Sequence, residues 1–514
     1  MNARIVGRMD LDRRGAARAA SVWGLAVGVA ATGVLATLWS RFPFPPVQVA
    51  ERVANLTPGG VATFFIELLH HFALPLTVLL VGAGLILVTL GLAALLPGLA
   101  DRIGAVPAAL VLSLPPYVVA LGAFDPSSVT TPRSAYAPAL GACVVAGGIA
   151  AGYAYRRLLW PSTGTPAAKP DDPSRRVVLR AGLVGGLGFA AGWLQLGRSL
   201  FPGGAPDRAL DAPTVARTAA PARPLPAFDV PGLAPVITPN DDFYTVDEEI
   251  VDPIVDAGSW RLRIVGAVDA PFELTYDELL ALPQIEQHAT LECISNPVGG
   301  DLISTATWTG VPLATLLERA GVRDGAVEVV SRAIGGYSDS LPLADALRPV
   351  TIVAVGMNGR VLPRKHGYPA RLLAPGYFGM KQPKWLEQLE VVTEPYAGYW
   401  EQRGWVKAAV VRTMSRVDGY GDVAGGTFVA GVAFAGDRGI SRVEVSLDGD
   451  TTWADAELER PLSGLTWRRW RLPVDPGTDP EIVVRATDGD GAVQPAEYMD
   501  PHPSGATGLD RVTL

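Results

Sequence analysis

The chain has 514 residues, 49% of them hydrophobic and only 18% charged, with a positive mean hydropathy. That length allows several domains, and so apolar a balance points to membrane spans rather than to a wholly water-soluble enzyme. The net charge of −8, without any basic stripe, argues against a nucleic-acid partner, and two cysteines, Cys143 and Cys293, cannot form a disulfide framework.

Four long apolar runs come first, about Ala19–Trp39, Phe72–Leu96, Ala105–Phe124 and Ala135–Tyr155. None holds a charged side chain, and each is about long enough to cross a bilayer as a helix. Pro107, Pro115 and Pro116 make the third less regular, which helical spans tolerate when packed against neighbours. A fifth run, Ala181–Gly197, is shorter and glycine-rich, and follows Ser174–Arg180, SRRVVLR. That stretch matches the twin-arginine export pattern. With the N-terminus inside, Arg4, Arg8, Arg13, Arg14, Arg18, Arg102, Arg156, Arg157, Lys169, Arg175, Arg176 and Arg180 fall on the inner side, against Arg41, Arg52 and Arg133 outside. This obeys the positive-inside rule and leaves everything after about Leu200 on the outer face.

His70 and His71 stand at the mouth of the second run. Neighbours on a helix point about 100° apart, and the runs hold no further histidine, so they read as interfacial residues rather than haem ligands. Cys143, inside the fourth run, reads as packing. Pro202–Pro235 is rich in proline and alanine and reads as a semi-rigid tether. The expected organisation is a membrane region over 1–160, the fifth span and linker over 161–235, a catalytic domain over 236–404 and a last domain over 405–514.

Within 236–404 short strands and helices mix. Trp260–Val265 reads as a strand, Thr275–Ala281 as a short helix capped by Thr275 with Glu278 three residues on, and Pro312–Arg319 as a helix. Thr351–Leu362 flanks Asn358-Gly359, a hairpin signal. This is an α+β pattern without a glycine-rich dinucleotide fingerprint. From Lys407 on, strand-like runs recur at Ala408–Val417, Thr427–Ala435, Ile440–Leu447, Thr466–Leu472 and Glu481–Ala486, separated by turns such as Asp448-Gly449 and Asp488-Gly489. Regular short strands of this kind predict a β-sandwich of immunoglobulin type.

Cys293 is the only cysteine outside the apolar runs. A lone soft thiol is a metal ligand, a nucleophile or a small core hydrophobe. No Cys/His signature accompanies it to favour the nucleophile. Its surroundings, TLECISNPVGGDLISTATWTGV over Thr290–Val311, resemble the molybdenum-cofactor domain of the sulfite oxidase family. Thr238–Tyr244, TPNDDFY, Gly336–Leu343, GYSDSLPL, and Val355–Leu389, with its HGYPAR and KQPKW, continue the resemblance in the right order over about Pro235–Leu514.

The resemblance implies a sulfite-oxidase-type α+β fold with an immunoglobulin-like dimerisation domain, and hence a possible homodimer. It implies a molybdenum–molybdopterin cofactor with Cys293 as the one protein ligand to the metal. It places Asn240, Phe243 and Tyr244 at the cofactor's edge, Asn296 and Ser331 among its contacts, and His366, Arg371, Lys381 and Lys384 on the anionic pterin. Tyr396 and Tyr399 lie near the family's substrate-site tyrosine. The chemistry fits: a soft thiolate suits a redox metal, and the cofactor performs the two-electron step that the protein binds and orients. Because this cofactor is assembled in the cytosol, its domain would cross the membrane folded, as the twin-arginine route allows.

The chain departs from the family where the family binds a substrate oxyanion. An arginine after the opening aromatic pair is replaced by Val246, and an N-R-R run after the cysteine reads Asn296-Pro297-Val298. Losing both cations weakens a site for a doubly charged oxyanion and favours a neutral sulfoxide or another small oxo-acceptor. The expected protein is a membrane-anchored, outward-facing oxidoreductase with a small-molecule substrate. Its electron partner is a separate cytochrome or quinone-linked membrane protein, since no haem, flavin or iron–sulfur motif is present. A sulfite dehydrogenase proper and a cofactor-free cell-surface binding protein are the competing readings.

Overall fold

The computed structural model describes mainly residues 73–123, 133–159, 228–246, 255–475 and 481–513, with short helical pieces between 17 and 53. The chain divides into two compact units, one holding the N-terminal helices and one holding almost everything from Gly204 on. The fifth run, the SRRVVLR stretch, His70, His71 and the linker up to 227 lie outside the described residues.

In the first unit three expected runs are helices: α1 (Ala73–Ala93), α3 (Ala105–Ala123) and α4 (Arg133–Leu159), with a short α2 (Leu96–Ile103) between the first two. Among the described residues one helical segment, Pro138–Arg156, has the length and apolarity to cross a membrane. The expected five-span bundle is therefore not established by the described residues.

The second unit opens with two five-stranded sheets. One has the order β2-β1-β10-β5-β6, formed by β1 (Arg261–Gly266), β2 (Phe272–Thr275), β5 (Glu328–Ala333), β6 (Ser338–Pro342) and β10 (Leu386–Val392). The other is β3-β4-β7-β8 with β9 on β7, formed by β3 (Ile285–Glu292), β4 (Ile303–Pro312), β7 (Ile352–Met357), β8 (Arg360–Val361) and β9 (Arg371–Leu373). Among the described strands of these two sheets, β1 and β10 pair in parallel and the other pairs are antiparallel. The local chemistry that sequence reading used is present. Thr275 and Glu278 form a reciprocal capping box on α5 (Tyr276–Ala281). Asn358 and Gly359 turn β7 into β8 with φ values of 51° and 73°, the positive pair that a two-residue hairpin requires. The helix expected at Pro312–Arg319 is α6 (Leu313–Ala320). Leucines and valines of β1, α5, α6, β5 and β10 make one core, and Trp308 at its centre, with Phe243, Leu291 and Leu373, marks a second beneath the other sheet.

Two four-stranded sheets follow. One is β11-β12-β16-β15, with β11 (Met414–Val423), β12 (Gly426–Phe434), β15 (Glu457–Leu458) and β16 (Arg468–Pro473). The other is β14-β13-β17-β18, with β13 (Ile440–Ser446), β14 (Ala454–Asp455), β17 (Glu481–Asp488) and β18 (Asp510–Thr513). Val429, Val443, Trp470 and Ile482 pack between them. The first strand differs from expectation: β11 begins at Met414 rather than Ala408. Residues 408–411 are engaged elsewhere, for Phe378 N–H donates to Ala409 O at 2.9 Å and Val411 N–H to Gly376 O at 3.0 Å. That segment stitches the strand-rich region to the catalytic one, and Ile294, Phe378, Trp405, Phe434 and Trp467 fill the seam.

Candidate functional site

β3 and β4 pair in register from Ile285 opposite Gly310 to Glu292 opposite Ile303, so Cys293 is the first residue beyond the ladder. Its N–H donates to Leu302 O at 2.9 Å, closing the base of the loop. Asn296 clamps the rest. Its amide nitrogen donates to Glu292 Oε1 at 3.1 Å, and its amide oxygen accepts from Leu302 N–H at 3.0 Å. The C-terminal region grips the same loop, where Arg416 donates to Gly300 O at 2.6 Å. The loop is thus fixed from both sides while the Cys293 thiol stays half-buried, 3.0 Å from Ser295 Oγ.

Burial raises the Cys293 thiol above its ordinary pKa, and hydrogen bonds at Ser295 only partly oppose this. Glu292 is pushed up to about 7 by burial, with the Asn296 amide and Arg416 pulling it back down. The free site therefore favours a neutral thiol, and a soft cation arriving there displaces the proton.

The structure gathers the basic set beside this loop. His366 is buried and its Nε2 donates to Asn240 O at 2.8 Å, which fixes the tautomer. Burial, with Arg371 and Lys365 nearby, lowers His366 to about 4, so it is neutral near pH 7. Asn240 is held in turn by Asn358, whose amide nitrogen donates to Asn240 Oδ1 at 2.8 Å. The Phe243 ring packs edge-on to His366 at 5.3 Å and stacks on Tyr244 at 5.5 Å. Arg371 leans over the Trp308 ring at 5.3 Å and donates to His366 O and Gln382 O, each at 3.2 Å. Lys384 Nζ lies over Trp385 at 4.6 Å, with long contacts of 3.4 and 3.5 Å to Val246 O and Lys365 O. Burial lowers it to about 7.

These groups converge because residue 367 is glycine. At its φ of +111°, a Cβ would meet Lys384 at 3.0 Å and Arg371 at 3.1 Å. Tyr244 closes the side nearest Cys293. Its hydroxyl feels the cysteine, Arg371 and Glu292, and burial raises its pKa well above that of an ordinary phenol.

Four expected site residues are engaged in other contacts. Lys381 Nζ is buried between Asp339 Oδ1 at 2.7 Å and Glu401 Oε1 at 2.5 Å, so its charge is used inside the protein. Ser331 is buried in mid-sheet, opposite Asp339 and Leu389. Tyr396 is tied to the β5–β6 sheet, its hydroxyl 2.8 Å from Ser338 Oγ and 3.3 Å from Arg332. Tyr399 is covered by the Arg403 guanidinium at 3.5 Å and packs against Tyr337. Asn296 is at the loop, but both ends of its amide are spent within it.

Sequence reading missed Ser295, Glu292, Trp308 and Gln382. Ser295 and Glu292 adjoin the cysteine and could have been singled out by proximity. Trp308 lies in the quoted stretch as well, but nothing in the pattern says that its ring lies beneath Arg371.

The residues present fit an anionic cofactor carrying its own metal. A half-buried thiol stands on a loop that Tyr244 and Phe243 connect to a neutral histidine and an arginine, with a buried lysine packed against the same glycine turn. Among the described residues no group of three or more His, Cys, Asp or Glu could hold a metal ion, and Cys293 offers a single soft ligand, which suits a metal carried by a sulfur-rich cofactor.

Comparison with known proteins agrees. Residues 249–400 match the family model described as oxidoreductase molybdopterin binding domain, and residues 405–500 match the Mo-co oxidoreductase dimerisation domain. The chain is 32% identical to sulfite oxidase of Gallus gallus over 313 residues, 50% of this chain and 68% of that one. It is 35% identical over 185 residues to a chain of Azospira oryzae provisionally assigned as protein-methionine-sulfoxide reductase subunit YedZ1, covering 35% of this chain and 68% of that one. The solved sulfane dehydrogenase SoxCD of Paracoccus pantotrophus superposes with a TM-score of 0.48 at 24% identity, over 55% of this chain and 85% of that one. The chain spans 57% of the length of the mitochondrial sulfite oxidase of Rattus norvegicus, which it matches at 31% identity.

Proposed function

Because the chain belongs to the sulfite oxidase family of molybdopterin-dependent oxidoreductases, we propose that it is a membrane-anchored enzyme that transfers an oxygen atom and two electrons on a small S–O compound at the outer face of the membrane. The observation that carries this reading is the half-buried Cys293 thiol at the end of β3, linked through Tyr244 and Phe243 to His366 and Arg371. The bound cofactor supplies the oxygen-atom transfer and the two-electron change.

The chain's own groups do the rest. Cys293 would hold the metal from a loop that Asn296 and Arg416 keep rigid. Arg371, whose guanidinium is fixed by His366 O and Gln382 O, and Lys384 would supply positive charge to offset that of an anionic pterin. His366, neutral and locked onto Asn240 O, presents its ring without adding charge.

Val246 and Pro297-Val298 stand where family members that bind sulfite carry arginines, so a neutral S-oxide suits the site better than a doubly charged anion. The likeness to a methionine-sulfoxide reductase subunit supports the same direction. The apolar N-terminal runs and the SRRVVLR stretch support anchoring and outward orientation. The C-terminal pair of sheets serves as an immunoglobulin-like dimerisation module, and electrons come from a separate membrane partner.

Molybdenum and pterin measured in the detergent-purified full chain, beside Cys293→Ser, test this reading. One molybdenum per chain, lost or made redox-inactive in the variant, is expected. A metal-free wild type from cells able to make the cofactor would overturn the enzyme reading.

A further inference from the structure

We propose that Tyr244 is the neutral hydrogen-bond donor that holds the oxygen of an S–O substrate beside Cys293. This rests on the S-oxide reading above and names the group that takes over from the absent cations.

Three observations point to it. The first is position: a Cβ built on Gly379 would lie 3.1 Å from the Tyr244 hydroxyl and 3.5 Å from the carbonyl oxygen of Glu292, the residue before the cysteine. The hydroxyl therefore sits at the rim of the Cys293 loop, and a glycine at 379 is what leaves room for it. The second is availability. Among the described residues the Tyr244 N–H donates to Ser304 Oγ at 3.2 Å, and no hydrogen bond occupies the hydroxyl. The ring itself is fixed by stacking on Phe243, with ring planes 18° apart, so the hydroxyl is held in place without being spent. The third is the state of its rivals. The hydroxyl of Tyr396 is engaged by Ser338 and Arg332, and the ring of Tyr399 is covered by Arg403.

The chemistry matches the substrate class. A sulfoxide oxygen is a strong neutral acceptor, and a phenol O–H binds it without the unbalanced charge that a buried guanidinium would bring. A dianionic oxyanion gains less from one neutral donor. With no arginine at 246 or 297–298, the Tyr244 phenol stands as a neutral donor at the rim of the Cys293 loop.

The test uses the full-length protein in detergent, loaded with cofactor, as wild type, Tyr244→Phe and Gly379→Ala. Dimethyl sulfone, which carries the S–O group but resists reduction, is titrated against the visible absorption of the cysteine–molybdenum bond, and steady-state turnover of a small sulfoxide is measured alongside. Losing one hydrogen bond to a substrate oxygen is expected to weaken sulfone binding and lower kcat/KM by about 10- to 100-fold, mainly through KM, with unchanged molybdenum content. Gly379→Ala, which crowds the hydroxyl without removing it, moves both readouts in the same direction. A Tyr244→Phe enzyme equal to wild type in sulfone binding and KM overturns the proposal. So does one that loses molybdenum, since Tyr244 would then hold the cofactor. A wild type that carries molybdenum yet oxidises sulfite and reduces no sulfoxide overturns the S-oxide reading instead. The sulfone titration needs no turnover and still decides the role of Tyr244 in that case.

Discussion

Replacing Lys381 by methionine separates two roles for a residue that the family resemblance places on the pterin. In the structure its ammonium is 2% exposed and bridges Asp339 and Glu401, which are 0% and 6% exposed. Removing the cation leaves two buried carboxylates facing the same space, a loss of roughly 3–5 kcal/mol for a broken buried pair. At about 2–4 °C per kcal/mol for a unit of this size, the melting temperature of the catalytic unit should fall by about 10 °C.

The pH dependence has a definite sign. Burial raises the Asp339 carboxyl above its ordinary pKa, and Lys381 opposes that. Without the lysine the folded pKa rises further, so the folded chain binds a proton that the unfolded chain releases. Stability then falls as pH rises from the unfolded value near 4 toward the folded one, and the deficit is smaller at pH 5.5 than at pH 8. Lys381→Met with Asp339→Asn, which removes one of the two charges, should recover most of the loss. Thermal unfolding followed by tryptophan fluorescence at the two pH values reads both effects. An unchanged melting temperature with lost molybdenum would refute this reasoning and return Lys381 to the cofactor.

Two further predictions concern the basic set. His366 is held at about 4 against an ordinary 6.5, so the unfolded chain binds the extra proton between those values. Stability should fall by about 3 kcal/mol as pH drops through that window, and His366→Gln, which keeps a donor for Asn240 O, should flatten the profile in urea titrations of cofactor-free protein. Lys384, at about 7 when the pocket holds no anion, must take up a proton to pair with one. Cofactor retention on dialysis should therefore weaken from pH 6.5 to pH 9 in wild type, and Lys384→Met should hold less cofactor with no such slope.

Elements set by local chemistry were legible in the sequence. The capping box at Thr275, the Asn358-Gly359 hairpin and the short, turn-separated strands of the C-terminal region depend on neighbours a few residues away. What escaped depends on partners far along the chain. Residues 408–411 look like strand, but their backbone groups belong to the turn at 376–378. The two-residue strands β14 and β15 are too short to show a period. Lys381 and Lys384 illustrate the limit within one motif. Both are basic, three residues apart and almost fully buried. They differ because Lys381 meets carboxylates supplied from positions 339 and 401, whereas Lys384 meets backbone carbonyls and an indole face. A motif fixes which charges are present. Distant carboxylates decide which of those charges is already neutralised, as Asp339 and Glu401 do for Lys381.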